Sequence, residues 1–286
     1  MNLKSFKGKD RELTLLSPAK VNLFFRIHYR RQDQYHQISS LYQAISLSDT
    51  VSISLADKDR FHCNLDHLCD LQGNFIWQAV SLFRQKTGWN QKLSIHLQKN
   101  IPLQAGLGGG SSNAATTLWA LNQLSHYQFE ENQLALWAAE LGSDMAFFFS
   151  EGTAYCQGKG EIMQNITHLP STHFWLAAPQ FGLSTPLVYQ KCDVSKLPHW
   201  DSAQALSDIL KGKLVLKNDL ESAAFRLKPE LQIIKHQLIG MGFKQVSMTG
   251  SGTTFICFGS LEIPQSPGIT FYPVHFLQRK LGYWYQ

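Results

Sequence analysis

Four glycines fall within the five residues Gly106 to Gly110, inside the run IPLQAGLGGGSSNAA from Ile101 to Ala115. Glycines this dense remove the Cβ atoms that would hold a backbone away from a bulky anion. The residues that follow, Asn113 to Leu124, put Ala114, Ala115, Leu118 and Leu121 on one face, the spacing of an amphipathic helix. A glycine loop opening onto a helix N-terminus aims unpaired N–H groups and the positive end of the helix dipole at one spot. The chemistry of such a spot is phosphate binding. The candidate cradle is the backbone of Pro102, Leu103, Gln104, Ala105, Gly106, Leu107, Gly108, Gly109, Gly110, Ser111 and Ser112, with both serine hydroxyls free for a phosphate or Mg²⁺. A tight strand-to-helix turn or a flexible linker is the plainer alternative for the loop taken alone.

The known loop types narrow the reaction. No lysine closes the glycine run, as a P-loop requires, and Ser111 stands where a dinucleotide fingerprint needs its third glycine. Neither H-R-D nor D-F-G occurs, so the protein-kinase pattern fails. Phosphoryl transfer to an alcohol needs the phosphates held, the hydroxyl aimed, its proton accepted and the extra charge neutralised. Asp144, just after the helix terminator Gly142, is the candidate base; its alternative role is N-cap for Met145–Phe149. Lys20 lies in the apolar strand pattern Ala19–Phe25. Alternation puts Lys20, Asn22 and Phe24 on one face and Val21, Leu23 and Phe25 on the other. A solvated strand face is the plain reading of that lysine. Tyr35 and His36 share a turn before a strand, and Tyr189 lies one helical turn after Thr185. Such rings stack on a pyrimidine or fill an interdomain core, and both readings stand.

The elements that must position these groups follow from periodicity. Strands are expected at Leu13–Leu16, Val21–His28, Thr50–Leu55, Leu93–Leu97, Phe174–Ala178, Gln245–Met248 and Thr253–Phe258, with paired strands across Glu151–Glu161. Helices are expected at Phe75–Lys86, Asn113–Leu124, Glu131–Leu141, Thr185–Gln190, Ala203–Lys211, Asn218–Phe225 and Leu231–Met241. The mixed order predicts an α+β protein with domains at 1–165 and 166–286 meeting in a tight interface. With 286 residues, 44% of them hydrophobic and 16% charged, the chain can bury real cores. A net charge of +5 without a basic run suits anionic metabolites and gives no stripe for nucleic acid. No apolar leader or membrane-length run occurs, and five cysteines without a C-x-x-C pair fit a reduced compartment, so a cytoplasmic protein is expected. The one metal-like cluster, His62, Cys63, His67 and Cys69, matches no zinc spacing, and no protein metal centre is expected.

Three motifs stand in the order and spacing of the GHMP small-molecule kinases, which the chain resembles: Ser17-Pro18-Ala19-Lys20-Val21-Asn22-Leu23, Gly106–Ala115, and Met248-Thr249-Gly250-Ser251-Gly252. Arg31–His36, Gly142–Phe148 and Ser184-Thr185-Pro186 are similar to the branch acting on 4-diphosphocytidyl-2-C-methyl-D-erythritol in the non-mevalonate isoprenoid route. The resemblance implies a ribosomal-protein-like N-terminal domain, a ferredoxin-like C-terminal domain and a catalytic cleft between them. It implies ATP and Mg²⁺ as cofactors, Asp144 as the base paired with Lys20, and Asn74 and Lys99 near the adenine. Substrate contacts would come from Asn22, Tyr35, His36, Thr185, Tyr189, Gly250 and Ser251. A homoserine- or mevalonate-type kinase is the nearest alternative, and a nucleic-acid-binding protein of related fold the more distant one. Gln34 and Gln104 stand where the family usually has glycine.

Overall fold

The computed structural model describes residues 12–65, 73–126, 129–166, 168–259 and 264–286. His67 and Cys69 of the metal-like cluster lie outside them. Two long strands open the chain, β1 Glu12–Arg30 and β2 His36–Ala56, followed by β3 Arg60–Cys63, α1 Phe75–Thr87 and β4 Lys92–Gln98. Then come α2 Gly109–Ser125, α3 Glu131–Leu141, a 3₁₀ turn at Ala146–Phe149, β5 Thr153–Gly158 and β6 Ile162–Asn165. The second half holds β7 His173–Pro179, α4 Thr185–Lys191, α5 Ser202–Leu210, β8 Lys217–Asn218, α6 Glu221–Leu227, α7 Glu230–Gly240, β9 Gln245–Met248, β10 Phe255–Phe258 and β11 Ile269–His275.

Seven of the described strands form one sheet, in the order β3-β4-β2-β1-β8 with β5 and β6 branching from β2; the other four form a sheet ordered β11-β7-β10-β9. All pairings in the second sheet are antiparallel. Helices α1, α2 and α3 cover one face of the first sheet, where Phe83, Leu118, Leu121 and Phe147 join Val51, Ile53 and Ile95 in one core. Side chains on the opposite side of β1 and β2 pack toward the second sheet. Val21, Leu23 and Phe24 meet Phe174, Leu176 and Ile256, while Phe25 and Ile27 meet Ala177, Leu220 and Phe255. Burying these apolar groups from both sheets at one seam makes the interface between the halves part of the core. No helix among the described residues is long and apolar enough to cross a membrane.

Three departures from the expected elements affect the site. Leu13–Leu16 and Val21–His28 belong to one strand, which stays continuous because β2 pairs along it with register shifts at Pro18/Ala19, Asn22/Phe24 and Ile27/Tyr29. The shift at Asn22/Phe24 leaves Leu23 as an extra residue, a β-bulge. Alternation fails there: Phe24 falls in the core with Val21 and Leu23, and Phe25, buried against Ala177 and Leu220, also forms part of the cleft wall that Lys20 lines. The strand expected after the Tyr35–His36 turn runs unbroken into Thr50–Leu55 as β2, although Ser39, Ser40 and Gln43 interrupt its apolar pattern; all three are nevertheless buried. Buried polar side chains of this kind survive by finding partners. Ser40 donates to Phe24 O at 2.6 Å and Gln43 Nε2 to Leu277 O at 2.9 Å. Asn218, expected to open α6, instead sits in β8 against Phe25, and its Nδ2 bonds Met248 O and Gly250 O at 2.6 and 2.8 Å.

The sheets divide near residue 166, yet the chain crosses that line twice. β8 adds to the first sheet, and residues beyond β11 return to it: Trp284 and Tyr285 are buried in the α1–α2–α3 core. The expected second unit, 166–286, therefore gives two of its segments to the first.

Candidate active site

Helix α2 starts at Gly109 after Gly108, whose φ of +68° is left-handed; no side chain caps it and no acidic residue stands in its first turn. An uncapped start of a 17-residue helix leaves donors and dipole directed outward. They face a cleft of about 400 Å³ whose wall includes residues 102 to 111, together with Lys20, Phe25, Tyr42, Asp144, Tyr189 and Ser251. The glycines are needed for close approach. A Cβ on Gly106 would lie 2.3 Å from Thr249 O, so the two glycine-rich loops touch backbone to backbone. One on Gly110 would lie 2.8 Å from the Phe75 ring, which also lines the cleft.

Not every expected cradle residue faces this space. Ser112 is fully buried, with Ser17 Oγ at 2.9 Å from its hydroxyl and its N–H donating to Gly108 O, so it is not free for a phosphate or an ion. Ser111 remains on the wall. Asn74 spends its side chain capping α1, accepting from Ile76 N at 2.9 Å, and is absent from the wall. Lys99 does line it, but its ammonium is paired with the buried Asp49 and donates to Ile101 O at 3.1 Å.

Across the cleft, Lys20 and Asp144 meet. Lys20 Nζ lies 3.3 Å from Asp144 Oδ2 and donates to Asn22 Oδ1 at 2.8 Å. The lysine side chain is 4% exposed and the aspartate 32%, so the cation is enclosed while the carboxylate can reach a ligand. The solvated-face reading of Lys20 is therefore overturned. Asp144 caps no helix either: the 3₁₀ turn Ala146–Phe149 has no side-chain cap. Its second oxygen instead accepts a hydrogen bond from Tyr42 Oη at 3.0 Å, and the Tyr42 ring sits 4.5 Å below Lys20 Nζ. Burial, and next the Asp144 charge, push the Tyr42 phenol well above its ordinary range, so it stays a donor. Asn22 is fixed by Ser40 Oγ at 2.8 Å and by Thr249 Oγ1, which accepts from its backbone N–H at 2.9 Å. Tyr42 had no sequence motif. Its only signal is that it alternates with Ser40 on a strand segment whose pattern was not legible.

The expected pyrimidine residues line an adjoining pocket with Arg30, Gln34, Pro186 and Gln190. Ser143, Lys159, Thr185 and Tyr189 line both spaces, so the two are continuous. The His36 and Tyr189 rings are 5.3 Å apart at 31°, and Tyr189 also packs edge-on to Phe25 at 6.4 Å. Tyr35 is 57% exposed with Lys159 Nζ 4.7 Å from its ring, which removes it from any interdomain core. Burial and the Arg30 charge lower the His36 pKa, favouring a neutral imidazole. On the far wall Thr185 Oγ1 and Ser251 Oγ are 2.7 Å apart. The cleft thus joins an anion cradle, a carboxylate held by a buried cation, and an aromatic pocket.

Residues 74–152 match the family model for the GHMP kinases N terminal domain. Along 273 residues the chain is 43% identical to the 4-diphosphocytidyl-2-C-methyl-D-erythritol kinase of Protochlamydia amoebophila, covering 96% of this chain and 93% of that protein. This chain belongs to that kinase family, within the GHMP kinases. A solved 4-(cytidine 5'-diphospho)-2C-methyl-D-erythritol kinase superimposes with a TM-score of 0.78 at 29% identity, over 93% of this chain and 99% of that one. The homoserine kinase of Cytophaga hutchinsonii superimposes at 0.70 with 16% identity, over 96% and 98%, a likeness of fold alone. As a small-molecule kinase of the GHMP fold, the chain has the two-domain α+β architecture expected of it.

Proposed function

We propose that the chain transfers the γ-phosphoryl group of ATP to the 2-hydroxyl of 4-diphosphocytidyl-2-C-methyl-D-erythritol, releasing ADP. The observation that carries this reading is the continuity of the two pockets, with Asp144 and Lys20 in the cleft that joins them. Residues 102 to 111 and the start of α2 hold the triphosphate. The cytosine lies with Tyr35, His36 and Tyr189, and the alcohol reaches Asp144 and Asn22. The Asp144 carboxylate accepts the hydroxyl proton as the oxygen bonds to the γ-phosphorus and the bond to the ADP oxygen breaks. Lys20 balances charge on that carboxylate before the transfer and on the phosphoryl oxygens during it.

Magnesium belongs to the same reading. Among the described residues no group of three or more His, Cys, Asp or Glu could hold an ion. An ion carried mostly on phosphate and water oxygens, with the Ser111 hydroxyl as its protein-side donor, fits this cleft. When bound, it neutralises phosphate charge. Cytoplasmic location and small-molecule partners, rather than nucleic acid or membrane, complete the proposal. ADP release measured with the cytidylated alcohol, homoserine and mevalonate as separate acceptors tests it. Turnover should require the cytidylated alcohol, and equal turnover with either of the others would overturn the substrate assignment.

A further inference from the structure

The chain after β11 leaves the second sheet and runs back over the first, where its contacts converge on the supports of Asp144. Phe276 bridges to Ile45, Leu277 N donates to Ala44 O at 2.8 Å, and Gln43 Nε2 donates to Leu277 O. Gly152 admits this close approach, since a Cβ there would lie 2.5 Å from Leu277 O. Two residues further on, Arg279 is buried among carbonyls. Its Nε donates to Ser150 O at 2.8 Å, and Nη1 donates to Glu131 Oε1 and Tyr283 O, both at 2.9 Å. Nη2 donates to Glu131 Oε2 at 2.7 Å and to Phe149 O. All five guanidinium N–H groups are therefore used. Farther along, the Trp284 ring rests 5.5 Å from Phe149 while its Nε1 donates to Leu16 O at 2.8 Å.

Phe149 and Ser150 end the 3₁₀ turn that begins two residues after Asp144. That turn also sets Phe147 against the Tyr42 ring at 5.4 Å and Phe148 3.4 Å from the place a Gly108 Cβ would take. Gln43 and Ala44 follow Tyr42, the hydrogen-bond donor to Asp144. Residues 276–286 thus fasten both elements that aim the carboxylate, one from each side. We infer that this segment is a strap that sets the Asp144 carboxylate against Lys20, with Arg279 as its positioning residue. The inference rests on the proposed role of Asp144 as proton acceptor. A guanidinium is suited to the task because its planar fork spans a carboxylate and three carbonyls at once, which a lysine ammonium, with three donors, cannot do.

Arg279→Lys keeps a cation for Glu131 and loses the fork. Its kcat should fall about tenfold, because small misplacements of a reacting group are costly. Both KM values should stay within about twofold, the sign that ground-state binding is intact. Amide exchange over residues 146–151 should quicken, while that of α1 stays as in the wild type. Glu131→Gln retains the three carbonyl bonds and should keep kcat within about twofold. An unchanged kcat per folded molecule in Arg279→Lys, with only a lower melting temperature, would overturn the strap as a positioning device. Where Arg279→Lys does not fold, Trp284→Phe, which removes the bond to Leu16 O, should lower kcat about two- to threefold with the same exchange signature; no change in either overturns the inference. A wild type inactive on the cytidylated alcohol refutes the substrate reading itself, whereas an active wild type with an equally active Arg279→Lys refutes the strap alone.

Discussion

Asp144 is held from two sides, by Lys20 on one oxygen and Tyr42 on the other, and neither partner is near it in sequence. Asparagine at this position can still accept from Tyr42 but cannot take a proton or pair with the ammonium. Asp144→Asn should lower kcat by about 10²–10⁴-fold, the usual contribution of a positioned base. ATP affinity measured by calorimetry should change little, because the cradle lies on other elements. His36 carries a second prediction at this scale. Burial and the Arg30 charge disfavour its imidazolium, so its titration in the folded protein lies below the ordinary 6.5. A histidine with a depressed pKa contributes its stabilising neutral form above the unfolded value and loses it as pH falls through the folded one. The KM for the cytidylated alcohol should therefore be flat above pH 6.5 and rise only on the acid side. An NMR titration of the His36 ring with a midpoint above 6.5 would remove this explanation.

The glycine-rich loops work as a pair of elements. Gly106 has a φ of +76° and its missing Cβ is replaced by Thr249 O and the Gly252 backbone. Gly106→Ala would combine a left-handed strain of about 1–2 kcal/mol with a backbone clash that no rotamer relieves. Urea melts should show a loss of at least about 2 kcal/mol, and ATP binding should weaken as the loops part. Gln34 and Gln104 provide the converse observation. Both stand where the resemblance implied glycine, and both adopt the left-handed backbone that glycine favours, at φ +70° and +51°. The loop at Gln34 is also closed by the Gln34 N–H on Arg31 O at 3.1 Å, and Arg31 and Asp33 form an ion pair at 3.0 Å. Within β1, the extra residue Leu23 re-aims Phe25 toward the cleft, a change of face that one inserted residue is sufficient to cause.

The two halves of the molecule are joined by more than apolar packing. Asp219, 2% exposed at its side chain, pairs with Arg26 at 3.0 Å and accepts from Ile27 N and Trp200 Nε1, both at 2.8 Å. It links β1 of the first sheet to the connection after α4 and to the start of α6. Asp219→Ala would leave the Ile27 and Trp200 N–H groups without their acceptor and the part-buried Arg26 guanidinium without its counter-charge, with only Pro198 O still accepting from it. A loss of about 3–5 kcal/mol is expected, as for other broken buried pairs. The unfolding midpoint in urea checks it, and a change below about 1 kcal/mol would mean that this network does not hold the interface.

Local chemistry was legible where a short segment carries its own physics. The dense glycines before an amphipathic run mark the anion cradle, and α1, α3, β4 and β9 follow from periodicity and caps in their own residues. Lys20, Asn22 and Asp144 were named by motif, but what each does was decided elsewhere. Lys20 became an enclosed cation because Tyr42 and Gly108 close over it, and Asp144 became a held carboxylate because Tyr42 and Lys20 displaced the cap. Ser112 shows the reverse: its position beside the cradle suggested a ligand, and the helix turn rotated it onto Ser17. A strand after the Tyr35–His36 turn is expected, but the burial of its serines and glutamine is not, because they look solvated until β1, β5 and the returning C-terminal segment supply their hydrogen bonds. Sequence periodicity reports one element's own faces. Which face meets which, and therefore which polar groups are desolvated together, is set by contacts across tens to hundreds of residues that only the folded chain contains.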